Sequence, residues 1–93
     1  MIRLNVFIRT KTLFDRAEAV AAAKELVAAS LEDEGCVAYD LFESATRPDV
    51  LMICETWRDA ASLAAHEASG HFRTLVPRLQ RAGEMKLEKF EFR

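Results

Sequence analysis

The hydrophobic period along this chain changes in a definite order, and that order limits the folds open to it. Ile2, Leu4, Val6 and Ile8 alternate with Arg3, Asn5, Phe7 and Arg9, the two-residue period of a strand. The period then lengthens. Val20, Ala23, Val27, Ser30 and Leu31 are spaced as one helical stripe, with Glu18, Glu25 and Glu32 on the opposite, solvated side. Asp15 followed by Glu18 reads as a capping box opening this helix. The helix is expected to run to about Glu34, where Gly35 fits the left-handed residue that ends it.

Period two returns twice, over about Val37 to Ser44 and Val50 to Trp57, with Thr46-Arg47-Pro48-Asp49 supplying the turn of a hairpin. In the second of these strands Leu51, Ile53, Glu55 and Trp57 share one face and Val50, Met52, Cys54 and Thr56 the other. Both faces are apolar for most of their length, which predicts a central strand covered on both sides. Asp59 can cap a short helix carrying Leu63 and His66 on neighbouring turns, and Ser69-Gly70 interrupts it. A second helical run offers Phe72, Leu75, Val76 and Leu79. Pro77 removes a backbone donor there, which predicts a bend or a helix starting near Leu75. Gly83 ends the helix, and Met85 to Phe92 reads as a last strand. The order β-α-β-β-α-β predicts an α+β, ferredoxin-like fold: a four-stranded antiparallel sheet with helices on one face. The other face is then bare in a lone chain. It carries an amide, Asn5, beside an aromatic ring, Phe7, so a second subunit is expected to cover it.

With 93 residues, half of them hydrophobic, the chain supports one domain spanning 1–93. A core of that size gives marginal stability alone, which again favours a homodimer. Thirteen basic and fifteen acidic side chains are interspersed, which argues against a nucleic-acid or anionic-membrane surface. The alternating start has no continuous apolar run, so neither a signal peptide nor a membrane span is expected. Cys36 and Cys54 without a secretory signal are expected to be reduced and packed. The expected location is the cytoplasm.

The stretch from Glu55 to Phe72 holds the one tryptophan and both histidines. Taken alone, these residues have structural readings. His66 fits a helix border with its ring bonded to a backbone carbonyl. His71, after Gly70, fits a helix start where it satisfies loose backbone groups. Trp57 fits a core position between sheet and helix. Glu55, a carboxylate beside it on an apolar strand, needs a partner such as an arginine or a backbone donor at a subunit seam, and reads as structural. Cys36 lacks an adjacent base and reads as a small packed hydrophobe. Tyr39 can give its hydroxyl to the fold or to a substrate, while Asn5 is hard to explain by packing. The histidines lie five positions apart and no acidic or cysteine cluster is seen to complete a ligand set, so no metal site is expected.

Glu34-Gly35-Cys36 followed by Tyr39, then Glu55-x-Trp57, then His66-x-x-Ser69-x-His71-Phe72 resembles the antibiotic biosynthesis monooxygenase family, in particular its small quinol monooxygenase branch. The resemblance spans nearly the whole chain. It implies a dimeric α+β barrel and the oxidation of a small phenolic or hydroquinone substrate by molecular oxygen, with no cofactor. Such chemistry needs a base, hydrogen bonds to a developing oxyanion and a dry cavity. Histidine, with an unperturbed pKa of about 6.5, suits the base. By the resemblance, His66 takes that role and Asn5 holds a substrate oxygen. Phe7 and Trp57 then supply flat walls, with Tyr39 and His71 as further substrate contacts, so that Asn5, Phe7, Trp57 and His66 would line one pocket.

Haem-degrading relatives carry an axial histidine one helix further on; here Leu75-Val76-Pro77 offers none, which disfavours haem cleavage. The paired histidines also resemble those of the isomerase of phosphorylated autoinducer-2, which gives an alternative reaction on a small hydroxyketone. A non-catalytic dimeric module that binds a small ligand is the third alternative.

Overall fold

The structure, a computed structural model, describes residues 1–93. Its elements are β1 (Ile2–Thr10), α1 (Leu13–Ser30), β2 (Cys36–Glu43), β3 (Val50–Trp57), α2 (Ala60–Glu67), α3 (Gly70–Ala82) and β4 (Gly83–Glu91). The four strands form one antiparallel sheet in the order β2-β3-β1-β4, with β1 and β3 central. This is the ferredoxin-like arrangement, with the second helical layer divided in two at Ser69. No helix is long and apolar enough to cross a membrane.

Strand register decides which side chains meet. Ile2 pairs with Trp57, Leu4 with Glu55, Val6 with Ile53 and Ile8 with Leu51. Tyr39 lies opposite Glu55 on the other side of β3. Because successive residues of a strand alternate faces, these residues share the helix-covered face, where Leu4, Ile8, Leu51, Ile53 and Trp57 are buried. Asn5, Phe7, Phe42, Met52, Cys54 and Phe90 occupy the opposite face. No helix covers that face, and Phe42 and Phe90 remain exposed.

The helices depart from the sequence expectations in ways that matter for the site. Thr12, not Asp15, caps α1: its extended backbone places the hydroxyl to accept from Asp15 N at 3.0 Å. Asp15 sits inside the first turn, where its charge favours the helix N-terminus. The buried stripe is Ala19, Ala22, Ala23, Leu26 and Ser30, whereas Val20 and Val27 are half-buried and Leu31 is exposed. Alanines at the contact let α1 approach its neighbours closely, so the larger valines are carried to the margin.

The helix also stops at Ser30 rather than near Glu34. The next turns tighten to i→i+3 bonds, from Glu32 N to Ala29 O and from Asp33 N to Ser30 O. Gly35, at φ +81°, then redirects the chain into β2. A Cβ there would collide with the Ser62 side chain, so both the backbone angle and the close approach call for glycine. The unwound segment turns the Asp33 carboxylate towards α2 and α3.

Helix α3 begins at Gly70 rather than near Leu75, because the Ser69 hydroxyl accepts from Phe72 N and caps it. Pro77 lies inside this helix and leaves the carbonyl one turn back, at the exposed Arg73, without its usual donor. Leu75, Leu79 and Ala82 face the core.

Candidate active site

Asp59 fixes the entry of α2 by accepting from Ser62 N at 2.8 Å. Leu63 and His66, one turn apart, then both face the sheet and are buried. The His66 ring lies over Trp57, with centroids 4.5 Å apart and planes inclined at 35°. Phe72 meets it edge-on at 5.3 Å, and the Tyr39 ring lies 5.5 Å away. Ser69 ties the two helices together, donating its hydroxyl to the His66 carbonyl at 2.6 Å.

A single carboxylate oxygen organises both histidines. Asp33 Oδ2 lies 2.8 Å from His66 Nδ1 and 2.8 Å from His71 Nε2. An ionised carboxylate only accepts, so each ring donates to it. His66 therefore carries its proton on Nδ1, and its Nε2 is a buried lone pair without a partner. Burial pushes the Asp33 carboxyl up, but the two imidazoles outweigh it and hold the group below its ordinary value. Burial lowers the proton affinity of His66, against the opposing pull of Asp33, so the neutral ring is favoured. An aspartate orienting one imidazole nitrogen and leaving the other bare is the arrangement of a general base. Asp33, His66 and His71 also bring three potential metal donors within 4.8 Å of one another. Their 2.8 Å contacts are hydrogen-bond lengths, shorter than the ~3.3 Å separating two tetrahedral ligands each about 2.0–2.1 Å from zinc.

Glu55 belongs to the same cluster, on the strand face below. It is buried, and its Oε1 accepts from the Trp57 indole N–H at 2.9 Å. Burial raises its pKa from the ordinary 4.5 to about 7, opposed by the hydrogen bond from Trp57 and by the neighbouring Tyr39 hydroxyl and helped by the negative charge of Glu67. Tyr39, between Ser30 and Glu55, is also pushed up, chiefly by burial and then by the Glu55 charge, so it stays a hydrogen-bond donor at every working pH. Cys36 is pushed up too, by burial and by the charges of Asp33 and Glu55, which keeps it a thiol.

Next to this cluster, between the sheet and helices α2 and α3, lies a cavity of about 220 Å³. Its walls are Leu4, Val6 and Ile53 of the sheet, Leu63 of α2, Phe72, Val76 and Leu79 of α3, and Met85 of β4. Tyr39 and Glu55 line it as well, with Glu67, Gln80 and Lys86 among its further polar residues. It is apolar in the main, with a buried acid and a phenol set into its wall.

The predicted site residues fall into three groups. Tyr39 borders the cavity. Trp57, His66 and His71 stand behind its wall, joined to it through Glu55, Tyr39 and Phe72. Asn5 and Phe7 do not meet them in one pocket, because the pleat puts both on the opposite sheet face. There Asn5 lies beside Cys54 and Glu88, and Phe7 borders a polar groove with Arg9, Arg47, Glu84 and Lys86.

Three further expectations need correcting. His71 bonds a side-chain carboxylate rather than loose backbone groups, which Ser69 satisfies. His66 bonds Asp33 rather than a backbone carbonyl. Glu55 finds its partner in the neighbouring indole, not in an arginine or at a subunit seam. Asp33 was not foreseen at all: in sequence it is the middle of the acidic run Glu32-Asp33-Glu34, and nothing local separates it from a solvated turn.

Comparison with known proteins agrees with this architecture. The sequence profile of a family described as antibiotic biosynthesis monooxygenase matches residues 1–78. YcnE of Bacillus subtilis (strain 168), provisionally named a monooxygenase, is 34% identical over 76 residues, which cover 82% of this chain and 79% of that protein. A crystal structure from Bacteroides thetaiotaomicron, described as a conserved protein of unknown function and possible oxidoreductase, superposes with a TM-score of 0.94 and 60% identity, over 98% of this chain and 96% of that one. SnoaB, a cofactor-independent oxygenase from Streptomyces nogalater, is similar in fold alone, with a TM-score of 0.87 at 14% identity over 99% of this chain and 92% of that one.

Proposed function

The chain belongs to the antibiotic biosynthesis monooxygenase family, and on that footing we propose that it oxidises a small phenol or hydroquinone with molecular oxygen, without a cofactor of its own. The observation that carries this reading is the apolar cavity with Glu55 and Tyr39 in its wall. A hydroquinone can supply all four electrons that oxygen needs. One oxygen atom enters a ring C–H as hydroxyl, the diol becomes a quinone, and the second atom leaves as water. Removing a phenolic proton raises the electron density of the ring and starts the sequence. The protein then has to accept that proton, hold the oxyanion and keep water out. Two groups near the polar end of the cavity suit the first task at neutral pH: Glu55 in the wall and His66 behind it. Tyr39 suits the second, and the aliphatic walls the third.

The bare sheet face supports a homodimer. Phe42, Met52 and Phe7 form an apolar row across it, with Phe90 further along the sheet beside Arg3, and a second copy would cover them with Asn5 and Cys54 inside the contact. Asn5 and Phe7 on this reading serve the subunit interface and not the substrate.

An oxygen-electrode screen over hydroquinones and polyphenols tests the function. Uptake is expected at one O₂ per product, with no added flavin, haem or metal. Conversion of a hydroxyketone with no oxygen consumed would favour the isomerase, and saturable binding of phenols without uptake under air would make the protein a binding module.

A further inference from the structure

Resting on the monooxygenase reading, we propose that Glu55, and not His66, is the catalytic base that takes the phenolic proton of the substrate. Three observations lead there. Glu55 lines the cavity, whereas His66 does not, and His66 Nε2 is sealed in the interior without a partner. A substrate in the cavity lies against the residue that carries the carboxylate, whereas the imidazole stands behind the wall.

The second observation is how the carboxylate is held. Trp57 Nε1 donates to Oε1, which fixes the carboxylate plane and leaves lone pairs for the Tyr39 hydroxyl and for the occupant of the cavity. A proton arriving from a phenol therefore meets an acceptor whose orientation is already set. Tyr39 beside it remains protonated, and once the Glu55 carboxylate has been neutralised its single O–H can turn from that acid to the oxygen that has lost its proton.

The third is the surroundings. The charged or titratable side chains facing Glu55 and the cavity are Glu67 of α2 and Tyr39 of β2; Lys86 of β4 borders the cavity from the register position of Phe7, on the other parity of the sheet, Cys36 of β2 senses the Glu55 charge, and His66 of α2 packs on the Tyr39 ring. From β1 and α3 the residues around it carry no titratable group: Leu4 and Val6 on one side, Phe72, Val76 and Leu79 on the other. No arginine or lysine pairs with the carboxylate. With its proton affinity near neutrality, the group is ionised often enough to act as a base and basic enough to take a proton. The proton moves from the phenol oxygen to Glu55, the electron pair stays on the phenolate, and the acid later returns its proton to product or water.

Two measurements test this. Under argon, binding of hydroquinone to the wild type is measured by calorimetry from pH 5.5 to 8.5. Affinity should rise about tenfold as Glu55 ionises, because a carboxylate accepts a phenol hydrogen bond better than a carboxylic acid does. In Glu55→Gln the affinity should be flat across that range. Under air, Glu55→Gln should lose at least about a hundredfold in kcat/KM, and with it the acid limb of the pH profile. Glu55→Asp should recover part of the rate together with that limb. His66→Gln should keep the limb at the same pH with a smaller loss. Thermal unfolding of each variant shows that it is folded.

The inference is overturned if the binding curves of wild type and Glu55→Gln coincide, if no phenol binds, or if His66→Gln removes the acid limb while Glu55→Gln keeps it. That last result leaves the monooxygenase reading intact. Glu55-dependent binding without oxygen uptake by the wild type would instead sink the monooxygenase reading while leaving the contact between phenol and carboxylate in place.

Discussion

Replacing Glu55 by glutamine should stabilise the folded protein above neutral pH and have its smallest effect in acid. The carboxyl's pKa rises from 4.5 to about 7 on folding. At about 1.4 kcal/mol per pH unit, that is roughly 3 kcal/mol against the ionised form. The buried setting of the group means solvent screening takes little from this figure. The sign follows from which state holds the proton. Below pH 4.5 the carboxyl is protonated in both states and the contribution is fully present. Between 4.5 and 7 the folded state keeps a proton that the unfolded chain has lost, so stability falls as pH rises. Above 7 the loss is complete.

Glutamine keeps an oxygen to accept from the Trp57 indole and carries no charge, so its curve lacks this descent. His66 works in the opposite sense: its affinity is lowered on folding, so its contribution is present above 6.5 and is lost on acidification. Both proteins share that term, and it cancels in their difference. Urea unfolding followed by Trp57 fluorescence, at one protein concentration and at pH values from 4 to 8.5, gives the two curves. Their separation should grow by about 3 kcal/mol from acid to alkaline pH, on the order of 10–20 °C in Tm for a domain of this size. A separation that stays constant with pH, or widens towards acid, would refute the burial argument for Glu55.

Two further expectations concern the frame around the site. Gly35→Ala should lower stability by more than about 2 kcal/mol, since the left-handed backbone alone costs about 1–2 kcal/mol and the added methyl meets the Ser62 side chain at the start of α2; a urea midpoint within error of the wild type would contradict it. Phe42→Asp, on the uncovered sheet face, should change the stability of the folded chain by no more than about 0.5 kcal/mol yet convert a dimer to a monomer in light scattering; a wild type that is already monomeric, or a variant that remains dimeric, would count against the proposed interface.

The sheet was legible because its strands follow a two-residue period and one hairpin turn fixes the order of β2 and β3. The bounds of β3 were readable to the residue. The helices were harder, for identifiable reasons. Thr12-x-x-Asp15 and Asp15-x-x-Glu18 both satisfy the spacing of a cap, and only the extended backbone of Thr12 separates them. Alanines surround α1, so no apolar stripe stands out and the buried face could not be located from spacing. The pocket was misassembled across the two sheet faces. Asn5 and Phe7 fall on one parity of β1, and Trp57 on one parity of β3, but whether the two parities share a face depends on pairing Ile2 with Trp57 and not with Thr56. The aliphatic parity of β1 already set Asn5 and Phe7 on the uncovered face, and Trp57 read as lying between sheet and helix, so the single pocket rested on the resemblance and not on the pleat. The Asp33 contacts span 33 and 38 positions to His66 and His71, and no local pattern encodes a contact of that length.

The two acids of the site show why Glu55 is hard to explain as a purely structural group. Asp33 receives two imidazole donors on one oxygen and is held in its charged form. Glu55 receives one indole donor, faces an apolar cavity and is held near the midpoint of its titration. If its task were only to satisfy the Trp57 N–H, an amide oxygen would do so without the loss of stability that ionisation brings at neutral pH. A titratable group in that position makes sense where its proton has to move. Stability and activity should therefore part in the single variant Glu55→Gln, the first rising at pH 8 and the second falling. A variant that gained stability and kept its turnover would show that Glu55 is no more than the acceptor for the indole, and the base would have to be sought at His66.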